Sequence, residues 1–332
     1  NENIRNEKEI QNELIKNLES NNLQIKIHIL DNEKDKMNQF VKLLFLDLTG
    51  AFRRINIKII ENSKYEIINE NFINLVFIDN NISNETINKL KNLKNTIFYG
   101  WCCHGNPIQK NILDNLLFIY MTCYTKTPVG KQYFLVNNEK KYCPLYHRVN
   151  ENPDLVGSFK RIIKYDWCYM GAPYRNDLKP NNLKNYNLAT FNSKYYLNCE
   201  ERKNIYLSSI FHLAYQGDTN IRDGHVSQRV FEGMAYGCIV LTNSKPACEQ
   251  CNNIPIYVNT LKDVEDKIAY YKNNPDEISK KQKLAYQFVK EFGTNTFSIN
   301  ELNKKTKMLY NVDFLKIINL NNLNNLNNDI VI

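Results

Sequence analysis

The chain has 332 residues, 43% of them hydrophobic, with a formal net charge of +8 and a sequence pI near 8.8. That length allows two α/β domains, and that apolar content excludes a disordered protein. No apolar run approaches the ~20 residues of a membrane-crossing helix, and no Lys/Arg-dense patch is interleaved with aromatics, so nucleic acid is not the expected partner. The bias towards Asn, Lys and Ile suggests an AT-rich coding genome, as in a large virus or a protist.

Residues 1–20 read as a polar helix. Their charged start, NENIRNEKEI, is not that of a signal peptide, and the missing initiator Met fits a chain cut from a longer one. An odd number of Cys, nine, without a secretion signal predicts reduced thiols and a cytoplasmic setting. LQIKIHIL (Leu23 to Leu30) has the alternation and β-branching of a strand. A helix is expected over Lys36 to Arg54, then a strand at INIKII (Ile55 to Ile60). NLVFID (Asn74 to Asp79) is the continuous apolar run of a parallel strand covered on both faces. Ser83 can cap the next helix, and strands follow at Thr96 to Trp101 and Leu116 to Tyr124.

After the polar stretch Val149 to Ser158, which reads as a linker, a second series begins near Tyr165. DWCYMG (Asp166 to Gly171) is a strand, Glu200 to Ser208 a helix and Ser209 to Tyr215 a strand. The loop Gln216 to Gly224 leads into a helix from about His225 to Tyr236, which Gly237 stops. Cys238 to Thr242 is a strand, Pro246 starts a short helix, Ile254 to Val258 is a strand, and two or three helices run to about Tyr310. The expected organisation is therefore two Rossmann-like α/β domains facing a cleft, over 1–150 and 159–310, with a low-complexity tail at 311–332.

Ligands of open α/β sheets bind beyond the carboxyl ends of the strands. Three segments qualify: GAPYRND after Met170, QGDTNIRDGHVSQRVFE after Tyr215, and TNSKP after Leu241. The second brings Gly224, His225 and Ser227 to a helix N-terminus, where backbone N–H groups and the dipole favour a phosphate. Arg229 could reach a diphosphate, and Glu232 could accept the two hydroxyls of a ribose. Spacing alone favours a plainer alternative, an i,i+3 surface ion pair between the two. Cys248-x-x-Cys251 and the adjacent Cys102 and Cys103 lack a second ligand pair, so buried thiols are expected, and no metal site.

SQRVFEGMAYGCIVLTN (Ser227 to Asn243) resembles the nucleotide-binding motif of GT-B glycosyltransferases, in particular group 1 transferases and spore-maturation CgeB-like proteins. Arg229, Phe231, Glu232, Ala235, Gly237 and Thr242 match that motif, with Gly233 in place of the common Ala. DWCYMGAPYRND is similar to a second segment of these enzymes through Gly171 and Arg175. The resemblance implies that Glu232 holds the donor ribose and that Arg229 and Arg175 neutralise the diphosphate. Ser227 and the backbone of Thr242 and Asn243 would contact phosphates or the leaving group. One departure is that the earlier Glu of retaining relatives is replaced by Gly224, with Asp223 beside it.

By the same resemblance the first domain holds the acceptor and a general base. His104, after FYGWCC, is the first candidate because imidazole titrates near neutrality, and Asp79 is the second. His147 could line the cleft. His28 and His212 alternate within strands as packing residues, and Trp101 and Trp167 flank strand ends. The expected activity is transfer of a sugar from a nucleotide-diphosphate sugar, UDP-sugar first, to a hydroxyl of a glycan, protein or small molecule. Neither cofactor nor metal is expected. The alternatives are a non-catalytic nucleotide- or carbohydrate-binding module of this fold, and a fucosyltransferase-like enzyme using a GDP-sugar. A Rossmann oxidoreductase is disfavoured, since no G-x-G-x-x-G follows the first strand.

Overall fold

Two parallel sheets carry the architecture. The computed structural model describes residues 24–29, 58–61, 72–78, 96–102, 118–121 and 142–144 of the first half, then 148–171, 186–190, 199–222 and 224–310, with isolated positions besides. The chain divides into two compact units, one of Asn1–Thr122, Lys131–Leu145 and Ser298–Ile332, the other of Cys123–Gly130 and Tyr146–Phe297.

The first unit contains β1 (Gln24–Ile29), β2 (Lys58–Glu61), β3 (Phe72–Ile78), β4 (Thr96–Cys102), β5 (Phe118–Met121) and β6 (Tyr142–Pro144). They pair in the order β2-β1-β3-β4-β5-β6, every pair parallel. This is a doubly wound sheet whose strand order reverses between β1 and β3. Five of its strands coincide with sequence expectation; β6 does not appear there, being a three-residue edge strand with Pro144 at its end. The helix expected over 1–20 lies outside the described residues. Of the helix after Ser83, Glu85, Asn88 and Lys89 are described and are helical.

The second unit contains β7 (Tyr165–Tyr169), β8 (Leu188–Thr190), β9 (Ser209–Leu213), β10 (Ile239–Thr242) and β11 (Ile256–Tyr257). Their order is β11-β10-β9-β7-β8, again all parallel, with the reversal between β7 and β9. The helices described there are α1 (Cys199–Leu207), α2 (Asp218–Arg222), α3 (Gln228–Ala235), α4 (Lys245–Gln250), α5 (Leu261–Asn273) and α6 (Pro275–Phe288). A π-turn at Val289–Gly293 leads into α7 (Asn295–Tyr310), which the first unit takes over from Ser298.

Alternation along the strands builds two cores. Trp167, Tyr169, Phe211, Leu213, Ile239 and Leu241 face Val264, Ile268 and Tyr271 of α5. Cys168, Met170, Ala214 and Val240 face the other way, onto Val230, Phe231 and Met234 of α3 and onto Ala285 and Phe288 of α6. Val149 to Ser158, read in sequence as a linker, packs onto this second core through Val149 and Val156, each 1% exposed.

Local signals set the helix ends. Thr260 and Asp263 form a reciprocal capping box on α5, at 3.1 and 2.9 Å. Ser227 caps α3, so that helix starts at Gln228 and not at His225. It ends in a left-handed Gly237, φ 84°, with Gly237 N–H bonded to Met234 O and Cys238 N–H to Gly233 O. Gly233, where the motif it resembles has Ala, is explained by packing. A Cβ there would lie 2.8 Å from Val240 Cγ2 and 3.0 Å from the His212 ring.

Candidate functional site

Strand order singles out one location on the second sheet, the carboxyl ends of β7 and β9. Three chain segments arrive there: Met170 and Gly171 beyond β7, Tyr215 and Gln216 beyond β9, and Thr242 with Asn243 at the end of β10. The side chain of Arg229, in the first turn of α3, lies across the first two. Its Nη1 donates to Met170 O, its Nη2 to Tyr215 O at 3.0 Å, and its Nε to Ser227 Oγ at 3.1 Å. All three acceptors are neutral, and among the described residues no carboxylate stands within ion-pairing distance of this guanidinium. Gly171 makes the placement possible: its φ is 130°, and a Cβ there would lie 2.5 Å from Arg229 Nη1. The cation and the α3 N-terminus thus put positive potential at the reversal point of the strand order.

The ion pair that spacing favoured between Arg229 and Glu232 does not form. Arg229, half-exposed, turns towards the strand ends, while Glu232, 5% exposed, faces α1. There Glu232 Oε1 accepts from Arg202 Nη2 at 3.0 Å and Oε2 from the Tyr206 hydroxyl at 3.0 Å. Burial, with the Glu232 carboxylate beside it, holds the Tyr206 phenol well above its ordinary pKa, so it stays a proton donor.

Other predicted positions are engaged in structure. Thr242 Oγ1 donates to Ala214 O at 2.9 Å and accepts from Ser244 N–H at 3.2 Å. The Asn243 carboxamide accepts from Gln216 N–H at 2.8 Å and donates to Gln216 O at 2.9 Å, copying a strand ladder beyond the end of β9. Gly224 is left-handed, φ 68°, and closes α2: its N–H bonds Ile221 O, and His225 N–H bonds Asn220 O. The helix α2 itself was read from sequence as loop. His225 is buried, 2% exposed. Arg175, His104, Asp79 and His147 lie outside the described residues.

Sequence reasoning missed three residues. Arg202 and Tyr206 sit four apart on α1, and only their shared helix face could have signalled a joint role. Gln216 is fully buried, and among the described residues neither its Nε2 nor its Oε1 has a hydrogen-bond partner. As the first residue after the expected strand, it met the carboxyl-end criterion. The thiols conform to expectation where described: Cys168, Cys238, Cys248 and Cys251 are free and buried, and burial raises the Cys248 thiol to about 11. His212 packs against the Tyr206 ring edge-on at 4.9 Å, and Trp167 is a core residue, 1% exposed. Among the described residues no cluster of three or more His, Cys, Asp or Glu is arranged to hold a metal ion, and no helix is long and apolar enough to cross a membrane.

Residues 147–298 match the family model described as glycosyl transferase-like. This segment contains Gly171, Arg202, Arg229 and Glu232. The fold of the chain is similar to that of T4 phage beta-glucosyltransferase, with a TM-score of 0.51 at 13% identity over 87% of this chain and 100% of that one. Another structure, of the DNA modifying enzyme beta-glucosyltransferase with and without uridine diphosphoglucose, gives 0.52 at 13% identity, covering 86% and 100%. The T4 phage enzyme in complex with UDP and Mn2+ gives 0.51 at 11% identity, covering 87% and 100%. No curated protein sequence matches the chain significantly. The likeness to these beta-glucosyltransferase structures is one of fold.

Proposed function

We propose that this chain transfers a sugar from a nucleoside-diphosphate sugar, a UDP-sugar first among these, to a hydroxyl of a glycan, protein or small-molecule acceptor. The observation that carries the reading is the Arg229 guanidinium, tied to neutral acceptors at the carboxyl ends of β7 and β9 beside the α3 N-terminus. A cation held in place beside a helix N-terminus stabilises the charge that builds on a departing diphosphate, and costs no reorganisation when that charge appears. Glu232 takes the ribose hydroxyls in this reading. His104 serves as general base, two residues beyond β4, with Asp79 directly after β3 in reserve. The diphosphate charge is met without a metal ion.

The test is a thermal-shift screen of the full chain against UDP, GDP, dTDP and CMP, followed by hydrolysis of the matching nucleotide sugar. A nucleotide at ~100 times its dissociation constant should add about 2.7 kcal/mol of stability, with EDTA leaving the shift intact. Slow hydrolysis, lowered by roughly 10²–10⁴-fold in His104→Ala, separates an enzyme from a binding module. No shift with any of the four nucleotides would overturn the reading. A hydroxyl-bearing nucleic acid is the second acceptor to test, favoured by the excess of eight positive charges. The T4 enzyme of similar fold is described as DNA modifying.

A further inference from the structure

Glu232 is a carboxylate on the second turn of α3, 5% exposed, facing another helix and not the strand ends. A buried carboxylate needs partners, and this one has one per oxygen: the Arg202 guanidinium on Oε1 and the Tyr206 hydroxyl on Oε2, both at 3.0 Å. The two donors stand four residues apart, on one face of α1. Tyr206 is itself immobilised. Its ring is fully buried, stacks on Tyr236 at 5.8 Å and meets His212 edge-on at 4.9 Å. The pair therefore fixes the carboxylate plane from two sides.

A carboxylate offers about four acceptor sites, two on each oxygen. The two bonds made inside the protein use one on each oxygen and leave one on each. That is the acceptor pattern that the two vicinal hydroxyls of a ribose complete. We propose that Arg202 and Tyr206 are positioning residues of the donor site, holding Glu232 so that its remaining acceptor sites read a vicinal diol of the nucleotide. This inference rests on the donor-site reading above and adds to it the two residues through which Glu232 acts. A plain structural tie between α1 and α3 would use the same contacts but would have no bearing on the hydroxyls.

Calorimetric titration of the full chain with UDP, 2′-deoxy-UDP and 3′-deoxy-UDP separates the two, or with the GDP series if the screen selects GDP. Losing a hydroxyl bonded to a carboxylate should weaken binding by roughly tenfold or more in the wild type. Glu232→Gln reports on the donor-site reading: it should lower the ribo-to-deoxy ratio. In Tyr206→Phe and Arg202→Gln the ratio should fall to within about threefold of one, with the deoxy nucleotide binding as before, and Arg202→Lys should recover part of it. A structural tie instead weakens all three nucleotides equally and leaves the ratio at its wild-type value, which overturns the positioning role while the donor site stands. No discrimination in the wild type overturns both. Should Arg202→Gln fail to fold, the near-isosteric Tyr206→Phe decides alone.

Discussion

Gly171→Ala is the sharpest perturbation of the candidate site, because two independent costs meet at one atom. The backbone there has φ 130°, where a side chain is strained; forcing an L-residue into such a region costs about 1–2 kcal/mol. The new Cβ would also lie 2.5 Å from Arg229 Nη1. Arginine ends are usually able to swing aside, but this one is held by Met170 O, Tyr215 O and Ser227 Oγ. Moving it breaks at least one charged hydrogen bond, about 1.5–3 kcal/mol. The expected loss is therefore about 2.5–5 kcal/mol in urea unfolding, read as a lower midpoint at unchanged slope. In an Arg229→Ala background the clash is gone, and the same substitution should cost only the backbone part. A coupling of about 1.5–3 kcal/mol between the two positions follows. Equal costs in both backgrounds, or a total under about 1 kcal/mol, would refute the view that Gly171 exists to seat this guanidinium.

Two further outcomes follow from buried groups nearby. His212 is fully buried, and burial, helped by the Arg229 charge, lowers its pKa to about 3. The unfolded chain therefore takes up a proton near pH 6.5 that the folded one refuses, so stability is complete above that pH and falls as pH drops towards 3. Between pH 7 and pH 5 this residue should cost about 2 kcal/mol, and urea curves of His212→Leu should lack that portion of the slope; an unchanged slope would refute the assignment. Gln216→Met replaces a buried carboxamide, which among the described residues has no hydrogen-bond partner on either atom, by a chain of similar volume. Its unfolding free energy should stay level or rise by about 1–3 kcal/mol, and a clear loss of stability would show that the amide is satisfied in solution.

Most of the strands were legible because parallel strands buried on both faces leave continuous apolar runs, as in NLVFID and CIVLT, whereas their order in each sheet came only with the structure. What escaped was short. β8 spans three residues at a sheet edge, and β6 is equally brief, too few to establish a period. The helix α2 was read as loop because its five residues, DTNIR, are flanked by glycines and rich in turn formers. Gly224 was weighed as a place where a phosphate approaches the backbone. Its left-handed φ is already accounted for by the end of α2, a use that could not be seen while α2 was unrecognised.

The motif residues show why spacing alone could not assign roles. Arg229 and Glu232 are three apart, and on an isolated helix that separation brings opposite charges together. Here the helix is buried from Val230 to Ala235, so Glu232 cannot rest on a solvated surface, while Arg229 lies half-exposed at its first turn. Each must find partners in the direction its own position dictates. Arg229 is in the first turn and looks towards the strand ends, where carbonyls left over by β7 and β9 accept its donors. Glu232 is a turn lower, beneath α1, and takes Arg202 and Tyr206 instead. The consequence is a separation of charge along α3, with a cation unmatched by any described carboxylate at the strand ends and a compensated anion below it. A sequence motif that keeps both residues thus preserves a local field as much as a pair of contacts, and that field is what an anionic donor would meet.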